Sequence, residues 1–111
     1  MIIDARFNYE YKAGHIKDAI NIESPQELER KFIHDLETIT RHMSQNTILI
    51  FHCEFSYKRG PDLWKTLREI DRNVNMVRYP KLFYPESYIL QGGFKEFYKQ
   101  FPELCEGGYM R

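Results

Sequence analysis

A thiol and a guanidinium are separated by five residues in "FHCEFSYKRGP", residues 51–61: Cys53, then Glu54, Phe55, Ser56, Tyr57 and Lys58, then Arg59, with Gly60 and Pro61 directly behind. Five residues are too few for a loop to wander. They can curl so that successive backbone N–H groups face one centre, which makes a nest for an anion. Pro61 reads as the first turn of a helix, and the positive end of that helix faces the same centre. Arg59 adds a planar, two-toothed donor whose geometry fits phosphate oxygens. All three favour the thiolate of a cysteine at the bottom of the cup, and a thiolate beneath a bound phosphate stands in line for phosphoryl transfer. Arg59 and the N–H groups would hold the equatorial oxygens as charge shifts in the transition state. The first product would be a phosphocysteine, which water then hydrolyses.

This chemistry needs no metal. Neither Cys53 nor Cys105 belongs to a C-x-x-C or Cys/His cluster of the zinc-binding kind, so no metal and no cofactor are expected. The spacing alone is weak evidence, and its bland alternative is a small buried Cys53 beside a solvated Arg59. The context weighs against that alternative, because the pair follows an apolar strand and precedes Gly-Pro. His52 either orients the loop by hydrogen bonding or is a satisfied core histidine; the two readings are even.

The loop needs a strand before it and a helix after it. "TILIFH" (47–52) is continuous β-branched and apolar sequence, the mark of a parallel strand covered on both faces. Active sites of open α/β sheets lie at the carboxyl ends of such strands, which is where Cys53 falls. "PDLWKTLREIDR" (61–72) sets Leu63, Leu67 and Ile70 on one side of a helix. Before the loop, "MIIDAR" and "AINI" (19–22) read as short strands. Ser24-Pro25 with Glu27 is a helix start. Leu28, Phe32, Leu36, Ile39 and Met43 then recur on one stripe, which predicts a single helix from Pro25 to about Met43. After it, "SYILQGG" (87–93) reads as a strand and "FKEFYKQF" (94–101) as a short helix. Alternating strands and helices predict an α/β domain with a mostly parallel sheet.

The 111 residues suit one domain and one core, and 42% of them are apolar. Sixteen basic and sixteen acidic residues balance, which argues against nucleic acid or an anionic membrane as the main partner. No apolar run has transmembrane length and the start has no signal-peptide pattern, so a reduced, intracellular monomer is expected. The single domain, 1–111, is expected to be trimmed at both ends.

"HCEFSYKRGP" resembles the signature of the M-phase inducer phosphatases, the dual-specificity enzymes that activate cyclin-dependent kinases. "IIDARFNYEYKAGHIKDAINI", "LREIDRNVN" and "YPKLFYPESYILQGGFKEFY" resemble other blocks of the family, so the likeness runs over almost the whole chain. It implies a rhodanese-like fold, a parallel five-stranded sheet flanked by helices. It implies Cys53 as nucleophile, Arg59 as phosphate clamp and the backbone of Glu54 through Lys58 as the rest of the cup. The implied substrate is adjacent phosphothreonine and phosphotyrosine of a cyclin-dependent kinase with its cyclin, met in nucleus and cytoplasm. Arg68 and Arg72 match positions that dock the kinase, although a solvated helix face is the default reading of both. Asp4 and Glu54 match positions proposed for the general acid. Glu54 is slightly favoured, since it adjoins the chemistry and Asp4 could instead bind backbone or Arg6.

Ala5 stands where the family usually has a second cysteine able to trap the oxidised nucleophile. Lys58 makes the rim of the cup more positive than is usual, and Asp62 partly reverses the change. The chain ends at Arg111, short of the C-terminal helix of longer members. Rival readings are a sulfurtransferase, whose loop is usually one residue shorter, an arsenate reductase, which also keeps C-x5-R, and a non-catalytic module that only binds a kinase.

Overall fold

The computed structural model describes residues 1–108. Its central sheet has four parallel strands in the order β3-β1-β4-β5: β1 is Ile2–Asp4, β3 is Ile20–Asn21, β4 is Leu49–His52 and β5 is Ser87–Ile89. The register aligns Asp4 with Asn21 on one side and with His52 on the other. Ala5 and Cys53 therefore leave the sheet side by side at its carboxyl edge. A second pair, β2 (Gly14–Ile16) and β6 (Cys105–Gly107), is antiparallel and separate. The described residues thus form a four-stranded parallel sheet flanked by helices, with an appended two-stranded ribbon, one parallel strand fewer than the resemblance implied.

The helices are α1 (Asn8–Ala13), α2 (Pro25–Phe32), α3 (Leu36–Ser44), α4 (Arg59–Val74) and α5 (Gly93–Gln100). Ser24 caps α2 as expected, its hydroxyl accepting from the Glu27 N–H at 3.2 Å. The single helix expected over 25–43 is instead two, parted at Ile33–Asp35. Two observations explain the break. The Tyr84 hydroxyl donates to the Phe32 carbonyl at 2.9 Å, which satisfies an orphan at the end of α2. Asp35 binds the Thr38 hydroxyl at 2.8 Å and opens a new first turn. Leu36 and Met43, expected on the buried stripe, are exposed, whereas Phe32 and Ile39 are buried.

The main core lies between the sheet and α2 and α4, where Ile3, Leu49 and Phe51 meet Leu28, Phe32, Leu63 and Leu67. A smaller cluster of Ile16, Ala19 and Phe94 covers the other face under α5. α4 reaches the sheet with Gly60, where a Cβ would lie 3.0 Å from the backbone of His52. Asp71, deep on α4, accepts the N–H groups of Phe83 and Tyr84 at 2.9 Å each and so ties down the chain leading into β5. No helix among the described residues is long and apolar enough to cross a membrane.

α5 also packs against the loop. Gly92 and Gly93 both take positive φ, 84° and 64°, which turns the chain so that the first N–H groups of α5 face back toward residues 53 and 54. Phe94 N–H donates to the Cys53 carbonyl at 2.9 Å and Lys95 N–H to the Glu54 carbonyl at 3.0 Å. A Cβ on Gly93 would stand 2.5 Å from both of those carbonyl oxygens. Gly93→Ala should therefore lower the free energy of unfolding by about 1–3 kcal/mol or more, from strained φ and lost contact together. Urea unfolding measures this; an unchanged midpoint would mean that the loop can back away from α5 freely.

Candidate active site

Cys53 directly follows β4, is buried and is a free thiol. It forms the floor of a cup of about 140 Å³ whose wall is Glu54, Phe55, Tyr57, Lys58 and Arg59. Ser56 turns the loop with φ of 59°, the left-handed conformation that lets neighbouring N–H groups converge. Among the described residues, the backbone N–H groups of Phe55, Ser56, Tyr57 and Lys58 donate to no protein acceptor. Together with the start of α4 at Arg59 they leave a set of open donors above a sulfur.

The floor beneath the loop is charged. Arg6, 1% exposed, bonds Asp4 through its backbone N–H, Nε and Nη2 at 2.8–3.1 Å. Its Nη2 also donates to the Gly14 carbonyl at 2.6 Å, its Nη1 lies 3.5 Å from Glu54 Oε1, and its guanidinium stacks 4.1 Å from the Phe94 ring centre. Glu54 is thus drawn inward, beneath the loop and toward Arg6. Asp4 is fully buried and does not line the cup. The sequence expectation placed both carboxylates as candidate acids; the structure brings Glu54 to the cavity wall and leaves Asp4 in the core with its oxygens occupied by Arg6.

His52 is also wholly buried. Its Nδ1 donates to the Cys53 carbonyl at 3.0 Å, and its Nε2 faces Asp4 Oδ2 at 3.8 Å. Burial pushes its pKa down against the opposing pull of Asp4, which keeps the ring neutral. The carbonyl of Cys53 therefore accepts from both sides, from His52 and from Phe94 N–H.

Arg59 lines the cup from the far side of the loop. Its Nη1 donates to Glu10 Oε1 at 2.8 Å, and its guanidinium lies 4.8 Å from the centre of the Phe7 ring. The same Glu10 oxygen accepts the Phe7 N–H at 2.9 Å. Burial tends to raise the Glu10 pKa, but the hydrogen bonds from Arg59 and Phe7 outweigh it and the carboxyl is lowered. The bond to Glu10 in turn strengthens Arg59's hold on its proton. Sequence spacing cannot reveal Glu10, which stands 49 residues from Arg59.

The rim is open. Phe55 and Tyr57 stack with ring centres 5.9 Å apart, and Tyr57 is 87% exposed. Lys58 and Asp62 meet at 3.0 Å on the surface, so the two unusual charges partly cancel. Arg68 lies over Trp64 at 5.2 Å and Arg72 is exposed, both on α4 and neither in the cup. Among the described residues no His/Cys/Asp/Glu cluster of metal-holding type occurs.

The rhodanese-like domain family matches residues 1–100. The M-phase inducer phosphatase 2 of Homo sapiens is 47% identical over 106 residues, 96% of this chain and 18% of that protein. The M-phase inducer phosphatase 1-B of Xenopus laevis is 48% identical over 106 residues, 95% of this chain and 18% of that protein. The chain therefore spans less than a fifth of the length of these relatives. Among solved structures, an As-Sb reductase from Leishmania major superposes with a TM-score of 0.70 over 98% of this chain and 72% of that one, at 19% identity, a likeness of fold.

Removing Arg6 should be costly, because Asp4 would keep a buried carboxylate without its partner. Arg6→Met should lower the free energy of unfolding by about 3–5 kcal/mol. Urea unfolding at neutral pH measures it; a loss below about 1 kcal/mol would show that the network contributes little to folding.

Proposed function

Because the chain belongs to the rhodanese-like domain family, and because its loop puts a buried thiol under open N–H donors and an arginine, we propose that it is a cysteine-dependent dual-specificity protein phosphatase. The observation that carries the reading is the cup: Cys53 at its floor, backbone N–H groups around it that are unbonded among the described residues, and Arg59 in its wall. A tetrahedral dianion seated there would place phosphorus above Cys53 Sγ. The thiolate attacks phosphorus, the P–O bond to the leaving oxygen breaks with its electron pair, and that oxygen takes a proton. Water then attacks the phosphocysteine, releasing inorganic phosphate and restoring the thiolate. Arg59 and the N–H groups carry the charge of the equatorial oxygens in both steps.

Glu54 is the carboxyl group nearest this chemistry in sequence and in the cup wall, and it is our candidate for the proton donor. It would serve by turning from Arg6 toward the leaving oxygen. The likeness to the M-phase inducer phosphatases supports a phosphorylated cyclin-dependent kinase, with its cyclin, as substrate, and nucleus and cytoplasm as the places of action. A shallow, open rim suits a phosphorylated segment presented by a folded protein. Arg68 and Arg72, outside the cup on α4, are the residues we propose for docking that partner. The absence of bound metal from the proposed steps is a feature of the mechanism, and it is testable.

Hydrolysis of an aryl phosphate should proceed in chelator and vanish in Cys53→Ser. Failure of a folded, reduced sample to turn over would sink the phosphatase reading. Oxidation gives a second test. Ala5, beside Cys53 at the sheet edge, has no thiol, and Cys105 lies in the separate β2–β6 ribbon with its thiol on the Phe101 carbonyl. Peroxide should therefore carry Cys53 past the sulfenic state to forms that thiols do not reduce, unless a sulfenamide forms first. Ready recovery of activity with dithiothreitol after mild peroxide would contradict this.

A further inference from the structure

Arg59 lines the cup, and its own placement there has a cause. α1 begins at Asn8, and its first turn is closed by Glu10, whose Oε1 accepts the Phe7 N–H at 2.9 Å. That bond fixes the carboxylate. The same oxygen then takes Arg59 Nη1 at 2.8 Å, and the Phe7 ring lies 4.8 Å beneath the guanidinium. Glu10's side chain is only 16% exposed and Arg59's 35%, so the pair is shielded from most of the solvent that weakens surface ion pairs.

The division of donors on Arg59 matters most. A guanidinium has five N–H groups in a rigid plane, and its Nε–Nη2 edge is a two-toothed face for an oxyanion. Glu10 takes Nη1 and leaves that edge. Among the described residues no other hydrogen bond is made by the Arg59 side chain, and the residue lines the cup while bonded to Glu10. We infer that Glu10 is a positioning residue: with Phe7 it forms a socket that holds the Arg59 plane beside Cys53 before an oxyanion arrives, so that the tetrahedral oxyanion meets a fixed clamp. The inference deepens the phosphatase reading and rests on it for the identity of the anion. A free arginine would lose side-chain freedom on each binding event, and the socket removes that cost in advance.

The test is a double-mutant cycle on Glu10 and Arg59, read by binding as well as turnover. Glu10→Gln keeps an acceptor for the Phe7 N–H and removes the charge that holds Arg59. Tungstate, a tetrahedral oxyanion, is titrated by calorimetry into wild type, Glu10→Gln, Arg59→Ala and the double variant, with urea unfolding as the control for folding. Tungstate should bind about tenfold more weakly to Glu10→Gln, the order of one charge-assisted hydrogen bond. For an aryl phosphate, kcat should fall by a similar factor with KM changing less, since the clamp is strongest in the transition state. In the Arg59→Ala background, Glu10→Gln should have no further effect on either. An equal loss in both backgrounds would overturn the inference and make Glu10 a part of α1 alone. Tighter tungstate binding by Glu10→Gln would overturn it differently, by showing that Glu10 competes with the anion for Arg59. Wild type that binds tungstate yet hydrolyses nothing sinks the phosphatase reading alone, because the binding cycle still decides the role of Glu10.

Discussion

A guanidinium in a protein core is tolerable only where every part of it is answered, and Arg6 is such a group. Asp4 answers one edge, the Gly14 carbonyl and Glu54 the other, and Phe94 its face. Those partners come from β1, from the start of β2, from the loop and from α5. One buried cation thus sets the relative positions of four pieces of chain spread between Asp4 and Phe94. It also decides which way the loop faces. With Glu54 drawn down toward Arg6, the next residues are carried over the top, and Cys53 is left at the floor with the following N–H groups above it.

The electrostatics of the site are layered as a result. Beneath the loop, Asp4, Arg6 and a neutral His52 form a dry floor. Above it the open N–H groups and Arg59 present donors, with Glu54 in the same wall. The two nearest carboxylates are each held on a cation, Glu54 on Arg6 and Glu10 on Arg59. On the proposed reading, an anion entering the cup would meet donors whose neighbouring carboxylates are already engaged.

The loop was legible in the sequence because everything that makes it a cup is local: a strand, five residues, an arginine and a helix start. The parallel sheet was legible for the same reason, since each strand carries its own apolar run. What failed to show depends on distant partners. The break between α2 and α3 leaves the five-residue stripe intact on paper, and it is made by Tyr84, 52 residues beyond Phe32. The β2–β6 ribbon pairs "GHI" with "CEG", two stretches with no alternation to mark them. Asp4 stands at the end of its strand and could have faced either way; Arg6, two residues on, turns it into the core. Glu10 reads as an ordinary acidic residue in the first turn of a helix until Arg59 is seen beside it.

The two hydrogen bonds from the first turn of α5 to the carbonyls of Cys53 and Glu54 have a thermodynamic corollary. Backbone atoms held by a helix terminus on one side and by His52 on the other cannot relax when their environment changes. The disorder that a free loop would surrender on meeting a ligand, on the order of 1–2 kcal/mol for each residue fixed, has already been surrendered when the chain folds. On the proposed reading, folding and recognition would be in this respect a single event: the chain casts the mould once, and an oxyanion would meet a shape that was set before it came.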